Sequence, residues 1–187
     1  TGKIHGLTWN TALANMGIQL DVNDMPTNSG FTFKEAASNI YSYVSEKKAT
    51  DLEKNMFVEM LIKHKKKALL NIPTKEIMSI GANINMIKYD ESSTNIIITN
   101  NTLEFVLHIL QKKELLDYFS FLVCNDLAMC VKTEEKIILT GSSKPSIEAC
   151  MEAFNYFDIP MIKKYVGDNP IIDGDFANRM KCEFVLV

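Results

Sequence analysis

Lys163-Lys-Tyr-Val-Gly-Asp-Asn-Pro-Ile-Ile-Asp173 decides how the rest of this chain is read. A short apolar strand ends at Val166. Gly167 and Asp168 follow at once, with a second carboxylate, Asp173, five residues on. In an open α/β sheet, ligands collect where the chain leaves the carboxyl end of a strand. A glycine there lets the backbone approach a ligand closely. Two carboxylates on one short loop repel each other unless something positive lies between them. A hard cation such as Mg²⁺, which takes oxygen ligands and keeps several waters, would fit there. Two solvated loop aspartates would give the same letters, so the meaning of the segment depends on the rest of the chain.

That chain has 187 residues, the size of one core domain with a small accessory one. Apolar residues make up 47% and charged residues 23%, the balance of an ordinary globular protein. The net charge is −3 and the basic residues are dispersed, which argues against a nucleic-acid partner. The one basic run, Lys63-His-Lys-Lys-Lys67, reads as the solvated end of a helix. Cys124, Cys130, Cys150 and Cys182 form no Cys-x-x-Cys pair, which suggests reduced thiols and a cytoplasmic location. No apolar run reaches the roughly 20 residues of a membrane span, so no membrane partner is expected.

Residues 1 to about 70 read as helices. His5 to Met16 is the first, closed by Gly17 as a C-terminal cap. Thr32-Phe-Lys-Glu35 and Thr50-Asp-Leu-Glu53 are capping boxes, in which a hydroxyl and a carboxylate three residues on satisfy orphan amides. Ala36, Ile40, Tyr43 and Val44 supply the apolar face of one helix; Leu52, Met56, Phe57, Met60 and Leu61 supply that of the next. Near Ile72-Pro73 the character changes. A helix from about Thr74 leads to Asn95-Ile-Ile-Ile-Thr99, a continuous apolar run of strand length. A helix through Leu103, Val106, Leu107 and Leu110 follows, then the strand Phe119 to Cys124 and a small extra hairpin around Val131 and Lys136 to Leu139. Lys144-Pro145 precedes a helix from Ser146 to Phe157, and Glu183 to Val187 is the last strand. This alternation predicts an α/β fold, a Rossmann-like parallel sheet with right-handed crossovers and helices on both faces. The domains expected are 1–75, a helical cap, and 76–187, the core.

Parallel strands put their carboxyl ends on one edge, so Thr99, Asn100, Lys144, Asp168 and Asp173 can converge there. A hydroxyl and neighbouring amides hold phosphate oxygens, and a lysine ammonium neutralises them. This ordered set resembles the haloacid dehalogenase-like (HAD) superfamily of Mg²⁺-dependent phosphohydrolases. The strand ending in Thr99-Asn100 is similar to its second motif, Lys144-Pro145 to its third, and Gly167-Asp168 with Asp173 to its fourth. His5-Gly-Leu-Thr-Trp9, Ala12-Leu13 and Gly17-Ile18 resemble the start of the helical cap in the phosphoglycolate phosphatase and β-phosphoglucomutase branch. The resemblance implies that Thr99 and Lys144 hold the transferring phosphoryl group and that Asp168 ligates Mg²⁺. It also implies that Asp173 binds the metal or orients its shell, that Asn100 and Asn169 support the loops, and that His5 sits at the cap hinge near the leaving group.

The chain departs from that pattern in one large respect. The family's first motif, an Asp-x-Asp on the central strand, does not occur where residue 1 begins, so the nucleophile and general acid are expected upstream of Thr1. A second chain supplying the strand is the alternative, and residues 1–187 alone are expected to be inactive. Phe33, with Lys34 beside it, stands where a phosphosugar mutase has a basic residue, which argues against that activity. The expected function is hydrolysis of a small phosphorylated metabolite through an aspartyl-phosphate. The alternative is a non-catalytic HAD-like domain that binds a ligand or a protein. A haloacid dehalogenase needs no Mg²⁺, and Asp168 with Asp173 argue against it.

Overall fold

Two hydroxyl–carboxylate pairs and one glycine set the ends of the first helices. The computed structural model describes residues 2–22, 31–45, 50–73, 93–141 and 143–187. It divides into two units, Thr1–Met78 and Ser79–Val187. The boundary expected at 75/76 and the helix expected from Thr74 lie outside the described residues.

The first unit contains α1 (Gly2–Asn15), α2 (Phe33–Val44) and α3 (Asp51–Leu70). Gly17 ends α1 with φ at 75°. Its N–H reaches Ala14 O while the Ile18 N–H reaches Leu13 O, the paired bonds of a Schellman cap. Thr32 with Glu35 and Thr50 with Glu53 form reciprocal capping boxes on α2 and α3. Trp9, Ala12 and Leu13 of α1 are buried, as are Phe33, Ala36, Ala37 and Ile40 of α2.

The face of α3 differs from the expectation. Leu52, Met56 and Met60 are exposed, as is Tyr43 on α2, and the buried stripe is Val58, Leu61, Lys65 and Leu69. These four follow a three-and-four spacing that places them on one helix face. In sequence Lys65 reads as part of a solvated basic run and so falls outside the expected stripe. In fact Lys65 is 1% exposed, with its Nζ 3.6 Å from the centroid of the Trp9 ring and 4.6 Å from that of Phe33.

The second unit is an α/β layer structure. Its elements are β1 (Ile96–Ile98), α4 (Leu103–Lys112), β2 (Phe121–Val123), β3 (Leu127–Cys130) and β4 (Lys136–Ile138), then α5 (Glu148–Tyr156), β5 (Lys164–Gly167), α6 (Ile172–Met180) and β6 (Glu183–Leu186). The α/β fold expected from the alternation is present. Among the described residues the strands form a four-stranded sheet, β1-β2-β3-β4, and a two-stranded one, β5-β6. The pairs β1–β2 and β5–β6 are parallel. β2–β3 and β3–β4 are antiparallel, because the extra hairpin lies flush against β2 and continues the sheet.

The long apolar runs are explained by burial on both faces. Ile96 and Ile98 of β1 and Phe121 and Val123 of β2 point into a core built with Cys150, Ala153 and Phe154 of α5 and Phe176, Ala177 and Met180 of α6. Ile97 and Leu122 point the other way, against Leu103, Val106 and Leu110 of α4. The N-terminus of α4 lacks a cap from Thr102, and the Asp126 carboxylate accepts the Leu103 N–H at 2.9 Å instead. Helices thus cover both faces of the sheet, and the carboxyl ends of β1 and β2 reach Thr99 and Cys124 side by side.

Candidate active site

Thr99 leaves β1 with its N–H bonded to Val123 O at 2.9 Å, a last rung of the β1–β2 ladder. Its Oγ1 accepts the Asn101 N–H and Nδ2–H, each at 3.2 Å, which closes the turn into α4. The hydroxyl oxygen is therefore engaged as an acceptor, and its own proton remains to be donated to an oxyanion.

Asn100 has a different task from Thr99. Its Oδ1 accepts the Lys144 N–H at 2.9 Å and its Nδ2 donates to Lys144 O at 3.2 Å. This two-point clamp on the backbone brings a loop 44 residues away to the end of β1. Thr99, Asn100 and Lys144 consequently line one pocket, together with Asn125, Ser143 and Ser146. The start of α5 borders it through Ala149 and Cys150, so the positive end of a helix dipole faces the same space.

Lys144 Nζ donates to Asp173 Oδ1 and to Tyr165 Oη, both at 2.6 Å. Side-chain exposure is 14% for the lysine and 7% for the aspartate, so the ion pair is largely shielded from water. The other Asp173 oxygen accepts the Asn169 N–H at 3.2 Å. Gly167 leaves room for this carboxylate: a Cβ there would meet Asp173 Oδ2 at 2.5 Å.

Asp168 is exposed and its carboxylate makes no hydrogen bond or ion pair among the described residues. The side-chain oxygen of Asn169 accepts the N–H groups of Ile171 and Ile172, each at 3.0 Å, and opens α6. No group of three His, Cys, Asp or Glu side chains among the described residues has metal-holding geometry. As donors for a hard cation, then, the three residues differ. Asp168 has its oxygens available, Asp173 is already occupied by Lys144 and an amide, and Asn169 Oδ1 is engaged by two amides. One free carboxylate with waters suits Mg²⁺, which is commonly held by one or two carboxylates plus substrate oxygens.

His5 lies in the first unit, half-buried on α1, edge-on to Phe33 at 6.2 Å. Burial, and then the neighbouring Lys65, push its imidazole down to about 3. It is therefore neutral at physiological pH and can serve only as a neutral donor or acceptor.

Two thiols, Cys124 and Cys150, also line the pocket. Burial pushes both up, Cys150 to about 12, so both thiols stay protonated near neutrality. The residue missed in the sequence is Tyr165. Its signal was a polar-tipped aromatic inside a short apolar strand, two positions before Gly167 and hence on the same face.

With this geometry in place, two solved structures share the fold over 98% of the chain. A hydrolase from Streptococcus pneumoniae TIGR4 superposes with a TM-score of 0.51 at 17% identity, with 83% of its own chain covered. A HAD-superfamily hydrolase, subfamily IA, variant 1, from Geobacter sulfurreducens PCA superposes with a TM-score of 0.56 at 15% identity, with 78% of its chain covered. No protein-family model and no curated protein sequence matches the chain. Identities this low speak to architecture: the chain has the Rossmann-like fold of HAD-superfamily hydrolases.

Proposed function

We propose that this protein is a Mg²⁺-dependent HAD-like phosphatase acting on a small phosphorylated metabolite. The observation that carries the reading is Lys144, clamped by Asn100 beside Thr99 at the carboxyl ends of parallel strands and braced by Asp173. A phosphoryl group carries spread negative charge through its transfer, and catalysis is chiefly positioning and charge stabilisation. The Lys144 ammonium and the Thr99 hydroxyl supply both. Asp168 would hold Mg²⁺, which when bound neutralises further charge on the phosphoryl oxygens. Asp173 would hold the lysine rather than the metal.

The nucleophile in this reading is an aspartate on a strand between β1 and β5, supplied by residues preceding Thr1 or by a second chain. Among the described residues β1 and β5 each end a sheet, and each pairs on one side only. Lys144 bonds Tyr165 of β5, and the Tyr165 hydroxyl lies 3.3 Å from Ile98 O of β1, so the two open edges meet at the pocket. The carboxylate would attack phosphorus while the second aspartate of the same Asp-x-Asp gives its proton to the leaving alcohol oxygen. That aspartate would then take a proton from the water that cleaves the aspartyl-phosphate. No helix among the described residues is long and apolar enough to cross a membrane.

A second reading, a non-catalytic domain that binds a phosphorylated ligand, has one observation in its favour. The acid nearest Lys144 is Asp173, which is engaged by that lysine and so is a poor nucleophile. Replacing Lys144 with Met tests both readings, read on folded protein because it also strands the Asp173 carboxylate. We expect K144M to weaken binding of inorganic phosphate, followed by calorimetry, by about tenfold or more, the value of a charge-assisted hydrogen bond. In the catalytic reading it also lowers kcat/KM on phosphate esters by roughly 10²–10³. Unchanged phosphate affinity in K144M would remove the basis of both readings.

A further inference from the structure

A lysine ammonium has three protons on a flexible stem, and one ion pair does not fix where the other two point. Lys144 is held at two points: Asp173 Oδ1 and Tyr165 Oη, both at 2.6 Å. With two N–H bonds committed, the direction of the third is set by tetrahedral geometry. It has no acceptor among the described residues, and Lys144 borders the pocket with Thr99.

Tyr165 is built to hold this position. It is 8% exposed and its ring packs on Phe176 with centroids 5.0 Å apart, so it cannot swing away. Because its oxygen accepts from Lys144, its own proton goes elsewhere, to Asp173 Oδ1 at 3.2 Å or Ile98 O at 3.3 Å. Burial, and then the Asp173 carboxylate, push the phenol well above its ordinary value, so the group stays protonated and is no general base. Ile98 immediately precedes Thr99. The hydroxyl that holds Lys144 therefore lies beside the strand end that carries the second oxyanion donor.

We infer that Tyr165 is a positioning residue: its hydroxyl, with Asp173, holds Lys144 so that a single N–H faces the pocket that Thr99 lines. The identity of the ligand as a phosphoryl oxyanion rests on the phosphatase reading; the grip on Lys144 does not. In geometric terms, the pocket presents one lysine N–H, its direction fixed by Asp173 and Tyr165, and one threonine O–H.

The test is Tyr165→Phe in the whole protein, which keeps the ring and removes only the hydroxyl. Two quantities are followed from pH 5 to 9: calorimetric binding of inorganic phosphate, and the Lys144 ammonium signal in ¹⁵N NMR, assigned with K144M. The inference expects phosphate binding weaker by about tenfold to a hundredfold, a displaced or broadened ammonium signal, and a retained cooperative melt. A lowered melting temperature with both quantities unchanged would show a purely structural role and overturn it. If the native protein binds no phosphate, the phosphatase reading fails, and the ammonium signal alone decides: displaced in Y165F supports the inference, unmoved overturns it. If Y165F does not fold, 3-fluorotyrosine in the native sequence changes the acceptor strength of the same oxygen. The Lys144 signal must then shift, and its failure to do so overturns the inference.

Discussion

Lys65→Met should stabilise the helical unit, by on the order of 3 kcal/mol at pH 7. Two effects oppose each other at this lysine. Burial pushes its ammonium down to about 6 from an ordinary 10.5, while the negative faces of Trp9 and Phe33, 3.6 and 4.6 Å away, favour the charged form and offset part of the loss. The net sign follows from linkage. With the folded value below the unfolded one, the unfolded chain binds more protons between about pH 6 and 10.5, so stability rises with pH through that window and the full penalty is present below it. Methionine fills the same volume without a charge to desolvate, and K65M should therefore lose this pH dependence. Trp9 is the only tryptophan and lies against Lys65, so its fluorescence during thermal unfolding reports on this unit. A destabilised K65M, or one with the native pH slope, would mean that the lysine is held by favourable contacts rather than tolerated at a cost.

Asp173→Ala carries the opposite expectation for the core. The aspartate is 7% exposed and opposes a lysine 14% exposed, and breaking a buried pair from one side strands the other charge. The expected loss is about 3–5 kcal/mol, together with the Asn169 N–H and the Tyr165 hydroxyl losing an acceptor. The double variant D173A/K144M should recover part of that loss, because no charge is then stranded. Urea unfolding of the single and double variants measures this directly; additive losses would show that the two side chains do not act as a pair.

What was legible in the sequence was what local chemistry determines. The caps at Thr32, Thr50 and Gly17 need only residues within one turn, and each occurs where its letters stand. The strands at Ile96–Ile98 and Phe121–Val123 were legible because burial on both faces leaves an unbroken apolar run. Of the five residues expected at one edge, Thr99, Asn100 and Lys144 line one pocket and Asp173 joins them through its ion pair with Lys144, while Asp168 is not among the lining residues.

Long-range partners were harder to read. Lys65 falls on the buried stripe of α3, but a lysine looks like a surface residue until the aromatic rings that cover it are known. The Leu127–Ile138 hairpin extends the sheet through antiparallel pairing, which a strand–helix alternation does not specify. The task of Asn100, gripping the Lys144 backbone, depends on a contact 44 residues away. Tyr165 reads as an ordinary strand residue because its ring satisfies the apolar pattern; only the bond of its hydroxyl to Lys144 sets it apart.

The most direct test of the phosphatase reading is Mg²⁺-dependent hydrolysis of p-nitrophenyl phosphate by residues 1–187 alone and by the same chain preceded by an apolar strand ending in Asp-x-Asp. An open strand edge leaves backbone groups unpaired, each costing roughly 1–3 kcal/mol when buried, against about 5–15 kcal/mol of stability for a whole domain. The account predicts no turnover and a weak melt for residues 1–187, and a gain in both on extension, with the turnover abolished by K144M. Hydrolysis by residues 1–187 alone would contradict the placement of the nucleophile, and an extended chain that is stable yet inactive would contradict the phosphatase reading itself.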